Sequence, residues 1–267
     1  MIPALRDLVR RLESPDIAKA GVIQWGSPVP AFGNLGSSQI ATLGLNPSNR
    51  EFVDITGNEL IGPFRRFQTL RSLRLNHWSN ATSKHLHLIE ESCTNYFLRN
   101  PYDAWFKELD SLLGGVASYY YENSTRSACH LDVIPYATLS KWTDLSALQR
   151  SKLIEIAGDT LGLLLRDSSI KFLILNGNSV VKNVESVSGS RLTCIEMPDW
   201  TLPRKAHGGV RGVSYFGRIN KIRGVNLGRE ITVLGFNHNI QSSFGVTNEV
   251  KTNIRRWIID SIGGGIS

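Results

Sequence analysis

Two stretches of this 267-residue chain place chemically versatile side chains directly after apolar runs. The first reads Gly44-Leu45-Asn46-Pro47-Ser48-Asn49-Arg50-Glu51-Phe52. Gly44 permits close backbone approach, Pro47 fixes a turn and removes one donor, and Asn46 is left with a carbonyl acceptor and an amide donor. The second reads Gly235-Phe236-Asn237-His238-Asn239-Ile240-Gln241-Ser242-Ser243. An imidazole at a strand tip, ahead of a hydroxyl-rich loop, can donate to developing negative charge. Each stretch alone also reads as ordinary structure, an Asn-Pro turn and a structural histidine. Their occurrence together at two strand ends makes a shared site the sharper reading.

The elements that must position these residues follow from hydrophobic patterning. Runs at 39–45, 128–134, 170–175 and 230–236 read as short strands buried on both faces, which favours a mainly parallel sheet covered by helices. Amphipathic segments at 64–75, 81–98, 145–165 and 247–262 read as helices, the last stopped by glycines 263–265. This alternation predicts a three-layer α/β/α sandwich around a central, mainly parallel four-stranded sheet. No repeat, low-complexity tract or linker interrupts it, so a single domain over 1–267 is expected. Two segments elaborate it: 114–127, with Tyr119, Tyr120 and Tyr121, and a basic insertion at about 189–228. In open α/β sheets ligands sit beyond the carboxyl ends of the strands, so chemistry is expected just after each apolar run.

Composition excludes several classes. A chain that is 41 % hydrophobic and 20 % charged can bury a core, so wholesale disorder is excluded. No stretch approaches the roughly 18 apolar residues of a membrane span. The N-terminus, MIPALRDLVRRLE, lacks the apolar core of a signal peptide, so a soluble cytoplasmic protein is expected. Cys93, Cys129 and Cys194 lie far apart, form no CxxC pair and are too few for a four-cysteine cluster. No metal or cofactor is expected. Gly33-Asn34-Leu35-Gly36-Ser37-Ser38 lacks the GxGxxG spacing and precedes a strand, which disfavours a nucleotide-dependent enzyme. The formal net charge is +7. Arg191, Arg204, Lys205, Arg211, Arg218, Lys221, Arg223 and Arg229 are opposed in their segment only by Glu196 and Asp199. That segment reads either as a solvated basic face or as a groove that tracks phosphates.

Taken together, these stretches resemble motifs of the uracil-DNA glycosylase superfamily. Gly44-Leu45-Asn46-Pro47-Ser48 is similar to its first motif, Gly-X-Asn-Pro-Gly, closest to the mismatch-specific and single-strand-selective branches. His238-Asn239-Ile240-Gln241-Ser242-Ser243 resembles a degenerate form of its last motif, His-Pro-Ser. Residues 28–33, Pro-Val-Pro-Ala-Phe-Gly, are similar to a loop that precedes the first motif in several branches. The chain departs at Ser48, where Gly or Tyr is usual, at Asn239, where Pro is usual, and in lacking the iron-sulfur cysteines of some branches.

The resemblance implies hydrolysis of the bond between a flipped base and its deoxyribose, through an oxocarbenium-like transition state. Asn46 would hold the attacking water and His238 would donate to the departing base. Gly44, Leu45, Pro47 and Ser48 would line the pocket, and one of Phe52, Phe64 and Phe67 would stack on the base, with Gly62-Pro63-Phe64 closest to the family context. Gln241, Ser242 and Ser243 would meet the DNA, with Arg211, Arg218, Lys221 and Arg223 on its phosphates. Glu51 and Asp54 read as loop carboxylates in water that could assist. The expected partner is DNA, bound by a monomer with no membrane contact. With no lysine at either strand tip, the expected product is an intact abasic strand.

The second run, His130-Leu131-Asp132-Val133-Ile134, carries the clue to substrate. Many relatives end this strand with an Asn that reads uracil, and here Asp132, or alternatively His130, stands near that position. An ionised Asp only accepts hydrogen bonds, so it suits the exocyclic amine of a cytosine-type base better than uracil. The alternative is an Asp satisfied by backbone amides or by Arg126. Asn176, ending the third run, either lines the pocket or caps a turn. Excising ordinary cytosine would destroy the host genome, whereas a modified cytosine, such as the glucosylated hydroxymethyl form of some phage DNA, resolves the conflict. The chain is thus compatible with the bacterial antiphage glycosylases of this superfamily, with Trp200, Tyr215 and Phe216 as surfaces for a bulky sugar. The rivals are a repair glycosylase for uracil or mismatched thymine, and a catalytically silent module that binds modified DNA.

Overall fold

All four apolar runs form strands, and the computed structural model shows what the basic segment adds to them. It describes residues 1–99, 104–120, 126–203 and 209–264. Tyr121, Arg204, Lys205 and Gly265, singled out above, lie outside the described residues. The strands are β1 (Ile40–Gly44), β2 (Ala128–Asp132), β3 (Phe172–Asn176), β4 (Thr193–Leu202), β5 (Val210–Ile222) and β6 (Val225–Phe236). They make one six-stranded sheet in the order β2-β1-β3-β6-β5-β4. The four anticipated strands are mutually parallel, while β5 and β4 continue the sheet antiparallel beyond β6. The expected four-stranded sheet is thus corrected to six. Segment 189–228 supplies the two extra strands and the first residues of β6, because its glycine-separated aromatic and β-branched residues extend the ladder.

Helices cover both faces: α1 (Ile2–Arg11), α2 (Pro15–Lys19), α3 (Ser83–Thr94), α4 (Tyr96–Arg99), α5 (Ala104–Leu113), α6 (Ala147–Ala157), α7 (Thr160–Arg166), α8 (Asn178–Ser188) and α9 (Asn248–Gly263). Alternation along the strands sorts the side chains. Ala41, Leu43, Leu131, Leu173 and Leu175 pack in a cluster with α1, α6, α7 and α8. Ile40, Ala128, Ile174, Leu234 and Phe236 pack in a second cluster with α4, α5 and α9. The sandwich layering is as expected. Among the described residues no helix is long and apolar enough to cross a membrane.

Three helix expectations need correction, the first being residues 81–98, which divide at Asn95 into α3 and α4. Residues 64–75 hold no α-helix but follow a single 3-10 turn over Gly62–Phe64. The segment's hydrogen bonds run sideways instead, from Ser27 N to Gln68 O (2.9 Å) and from Leu70 N to Trp25 O (2.9 Å). Residues 145–165 divide into α6 and α7, which meet at Gly158 and Asp159. The proline-rich loop at 28–33 runs antiparallel along the outer side of β2, where Phe32 and His130 exchange both backbone hydrogen bonds, 2.8 and 2.9 Å.

Arg229 is engaged within the fold and is no phosphate-binding candidate. On β6, its guanidinium donates to the carbonyls of Leu165 (2.8 Å), Ser168 (2.7 Å), Ile170 (3.0 Å) and Arg166 (3.2 Å). It therefore closes the carboxyl end of α7, whose last carbonyls have no helical partner. Arg229→Met is expected to cost about 2–3 kcal/mol, measured as a lower urea midpoint with an unchanged slope; an unchanged midpoint would show that water replaces the guanidinium.

Candidate active site

Parallel register brings the strand tips level. Gly44 pairs with Asp132, Leu43 with Leu175, and Asn176 with Phe236, so Asp132, Gly44, Asn176 and Phe236 form a row across four strands. By alternation, Thr42, Gly44, His130, Asp132 and Asn176 share the face that carries the second cluster. Leu45 points to the opposite face and packs against the first cluster, so it does not line this edge as expected.

Asn46 is half-buried just past β1. Its Nδ2 donates to Thr138 Oγ1 (2.9 Å), Pro47 O (3.2 Å) and Tyr136 O (3.4 Å). Thr138 Oγ1 in turn donates to Ser140 O (2.7 Å). With the amide nitrogen pinned on three oxygens, Oδ1 is turned the other way and has no partner among the described residues. The sequence points to Asn46 but carries no signal for Thr138. Pro47 is buried and contributes its carbonyl to the clamp, while Ser48 caps the 3-10 turn Asn49–Glu51 by accepting from Arg50 N (3.2 Å). Both therefore shape the loop rather than face a ligand.

Asp132 is only 5 % exposed, and its carboxylate accepts no hydrogen bond among the described residues. The imidazole of His130 lies beside it, with Nε2 3.6 Å from Oδ1. The anticipated alternatives, backbone amides or Arg126, do not satisfy it. Below it, His130 Nδ1 lies 2.7 Å from Thr42 Oγ1, which also meets the hydroxyl of Tyr119. Gly44 has to be glycine here, because a Cβ would collide with Asp132 Oδ1 and stand 3.0 Å from His130 Nε2. The Trp105 ring packs edge-on over His130 at 5.3 Å, with Phe32 at 5.6 Å and Phe106 at 5.2 Å.

The other two tips are occupied. Asn176 Oδ1 accepts from Ile240 N (3.2 Å) and its Nδ2 donates to Gln241 Oε1 (2.6 Å), while Gln241 Nε2 donates to Trp105 O (3.2 Å). Both amides therefore latch the loop after β6 and are not presented to a ligand or to DNA. Within that loop Asn239 Oδ1 accepts from Gln241 N (3.1 Å) and Ser242 N (3.0 Å), and Ser243 Oγ accepts from Asn239 N (3.0 Å). Asn239, standing where the resembled motif has Pro, thus shapes the turn with its side chain. His238 is buried, and its Nε2 donates to the Trp200 carbonyl on β4 (2.8 Å), on the side of β6 away from β1. This corrects the expectation that it aims at a base between the two tips. Ser242 is exposed in this loop, and so is Phe244, 82 % accessible and one position past the hydroxyl-rich stretch.

Of the aromatic candidates, Phe52 and Phe67 belong to the core, 5.8 Å apart, with Phe67 stacked on Tyr96 at 5.3 Å. Phe64 is the accessible one, at 75 %. Trp200 is also core, against Trp257 at 5.5 Å, which removes it as a sugar-stacking surface. Glu51 is not solvated but buried, holding Arg66 (3.3 Å) and the Tyr96 hydroxyl (3.1 Å). Asp54 is exposed and is held below the ordinary carboxylate range by the Thr56 hydroxyl and the Asn58 backbone amide.

The basic segment does not form one groove. Arg211 pairs with Glu196 (3.2 Å) and Arg218 with Glu230 (3.4 Å). Lys221 pairs in register with Asn226, ten positions before Phe236, which puts Lys221 and Arg223 about 33 Å from the row. These two are thus corrected as contacts for the same site. A hollow of about 230 Å³ lined by Asn220, Lys221, Gly224 and Asn226 lies at that remote end. Two cations outside the basic segment stand closer in the chain to the site. Lys141 directly follows Ser140 of the Asn46 clamp, and Arg65 directly follows the accessible Phe64. Neither forms an ion pair among the described residues. No cluster of three His, Cys, Asp or Glu among those residues could hold a metal ion.

No protein-family model matches this chain, and no curated protein matches it.

Gly44→Ala is expected to displace the Asp132 carboxylate and lower stability by about 1–3 kcal/mol, read in urea unfolding; unaltered stability would mean that the β1–β2 edge is looser than this packing indicates.

Proposed function

We propose that this protein is a monofunctional DNA glycosylase that hydrolyses the N-glycosidic bond of a flipped, modified cytosine and leaves an abasic site, acting against phage DNA. The observation that carries the reading is Asn46, whose clamped amide nitrogen directs an unpartnered Oδ1 from the tip of β1. An amide oxygen so held can orient a water toward a sugar carbon without serving as a strong base, which suits a bond that breaks by dissociation. The resemblance of residues 44–48 to the superfamily's first motif supports the same assignment.

Asp132 supports the choice of base. A nearly buried carboxylate with no hydrogen-bond donor is costly unless a ligand supplies one. The exocyclic amine of cytosine does so, whereas the corresponding carbonyl of uracil would face it lone pair to lone pair. In this reading Asp132 recognises the base. His238, whose Nε2 is held by the Trp200 carbonyl, has no part in this reading. Phe64 and Phe244 supply exposed aromatic surface, and Arg65 and Lys141 supply phosphate contacts.

The deciding experiment is mass spectrometry of bases released from natural and phage DNAs, glucosylated DNA included. Release of uracil alone would replace this reading with a repair glycosylase; salt-sensitive binding without release would replace it with a binding module. Asn46→Ala is expected to lower single-turnover release at least about 100-fold while DNA binding persists, and near-normal release would exclude the water site.

A further inference from the structure

We infer that Tyr119, Thr42 and His130 form an ordered chain of hydrogen bonds that fixes the proton on His130 Nε2 and thereby holds Asp132 as a pure acceptor, making Thr42 and His130 positioning residues for base identity. The inference rests on the proposed reading of Asp132.

The order of protons follows from counting donors. Tyr119 is fully buried, and burial keeps its phenol protonated, well above the ordinary range. Its hydroxyl meets Thr42 Oγ1, and no other partner exists for it among the described residues. Thr42 Oγ1 carries one hydrogen and stands between that phenol and His130 Nδ1, 2.7 Å away. If His130 Nδ1–H donated to Thr42, the threonine hydrogen would turn to Tyr119, and the phenol hydrogen would be stranded in the core. The unprotonated Nε2 would at the same time face the Asp132 carboxylate at 3.6 Å with a lone pair. Both faults disappear in the opposite order. Tyr119 donates to Thr42, Thr42 donates to Nδ1, and Nε2–H points at Asp132.

The geometry around the pair leaves little room for another arrangement. Phe32, Trp105 and Phe106 surround the imidazole edge-on, and Phe32 holds the His130 backbone through two hydrogen bonds. Gly44 supplies the floor with no side chain. One side of the carboxylate therefore lies toward a fixed N–H, and the rest is left for a donor that enters the crevice. Were the proton on Nδ1 instead, the Nε2 lone pair would face the carboxylate, and the fixed N–H that orients it would be lost. The discrimination between a 4-amino and a 4-oxo pyrimidine would then relax.

Two measurements test this. In the intact protein, long-range proton–nitrogen spectra of the histidine rings are expected to show His130 protonated at Nε2, its signals assigned with His130→Gln. Thr42→Val and Tyr119→Phe should shift them, and Thr42→Ser should restore them. In the second, duplexes carrying 5-hydroxymethylcytosine, glucosylated or not, are compared with 5-hydroxymethyluracil. Thr42→Val in the Asn46→Ala background is expected to reduce the binding preference for the amino base by about tenfold, with Thr42→Ser close to the parent. A wild-type ring protonated at Nδ1, or a folded Thr42→Val protein with undiminished preference, overturns the inference. Absence of base release from every DNA would instead overturn the glycosylase reading, and the ring spectra would still report the His130 tautomer independently.

Discussion

Because β2, β1, β3 and β6 pair in parallel and end level, four widely separated pieces of chain leave the sheet along one edge, spanning about 14 Å from β2 to β6. Everything else at this edge follows from that register. It puts Gly44 beside Asp132, sets Asn176 against the loop that follows β6, and carries Asn46 onto the segment that leaves β2. A slip of one residue in any strand would send its polar tip to the opposite, fully apolar face. The two helix layers hold the register from both sides.

The edge combines two opposite electrostatic treatments. Asn46, Asn176 and Gln241 are amides whose donors are satisfied by nearby oxygens, a neutral arrangement that costs little to bury. Asp132 is the exception, since it gains no hydrogen bond from the protein in return for its desolvation. Polar groups left in this condition concentrate where a ligand completes them. Beside it stands His130, itself enclosed by the ring edges of Phe32, Trp105 and Phe106.

What can be read from the sequence divides by physical range. The four parallel strands and Asn46 are legible because continuous apolar runs and an Asn-Pro tip are local signals. Burial of Asp132 follows from its place in the second run. The partners are not legible: Thr138, Tyr119 and Trp105 come from remote parts of the chain and meet the tips only after folding. Period-two alternation does place Thr42 on the Gly44 face, two residues before the tip. β4 and β5 escape a pattern-based reading because half-exposed strands lack an apolar run. Lys221 and Arg223 group with Arg211 in the sequence because proximity along the chain conceals the length of an antiparallel ribbon. His238 is legible as a strand-tip imidazole, but the direction of its ring depends on β4.

The two margins of the sheet are treated differently, with a consequence for self-association. Along β2 the outward backbone is partly engaged, His130 by Phe32 of the proline-rich segment and Ala128 N by the Ser118 carbonyl, which obstructs addition of a foreign strand. Among the described residues β4 pairs with β5 alone, but it carries Glu196, Pro198 and Asp199 and an irregular register between Met197 and Leu202. A missing donor, two negative charges and a kink make a poor template for cross-strand polymerisation. Strand-to-strand polymerisation is thereby disfavoured at both margins of the sheet.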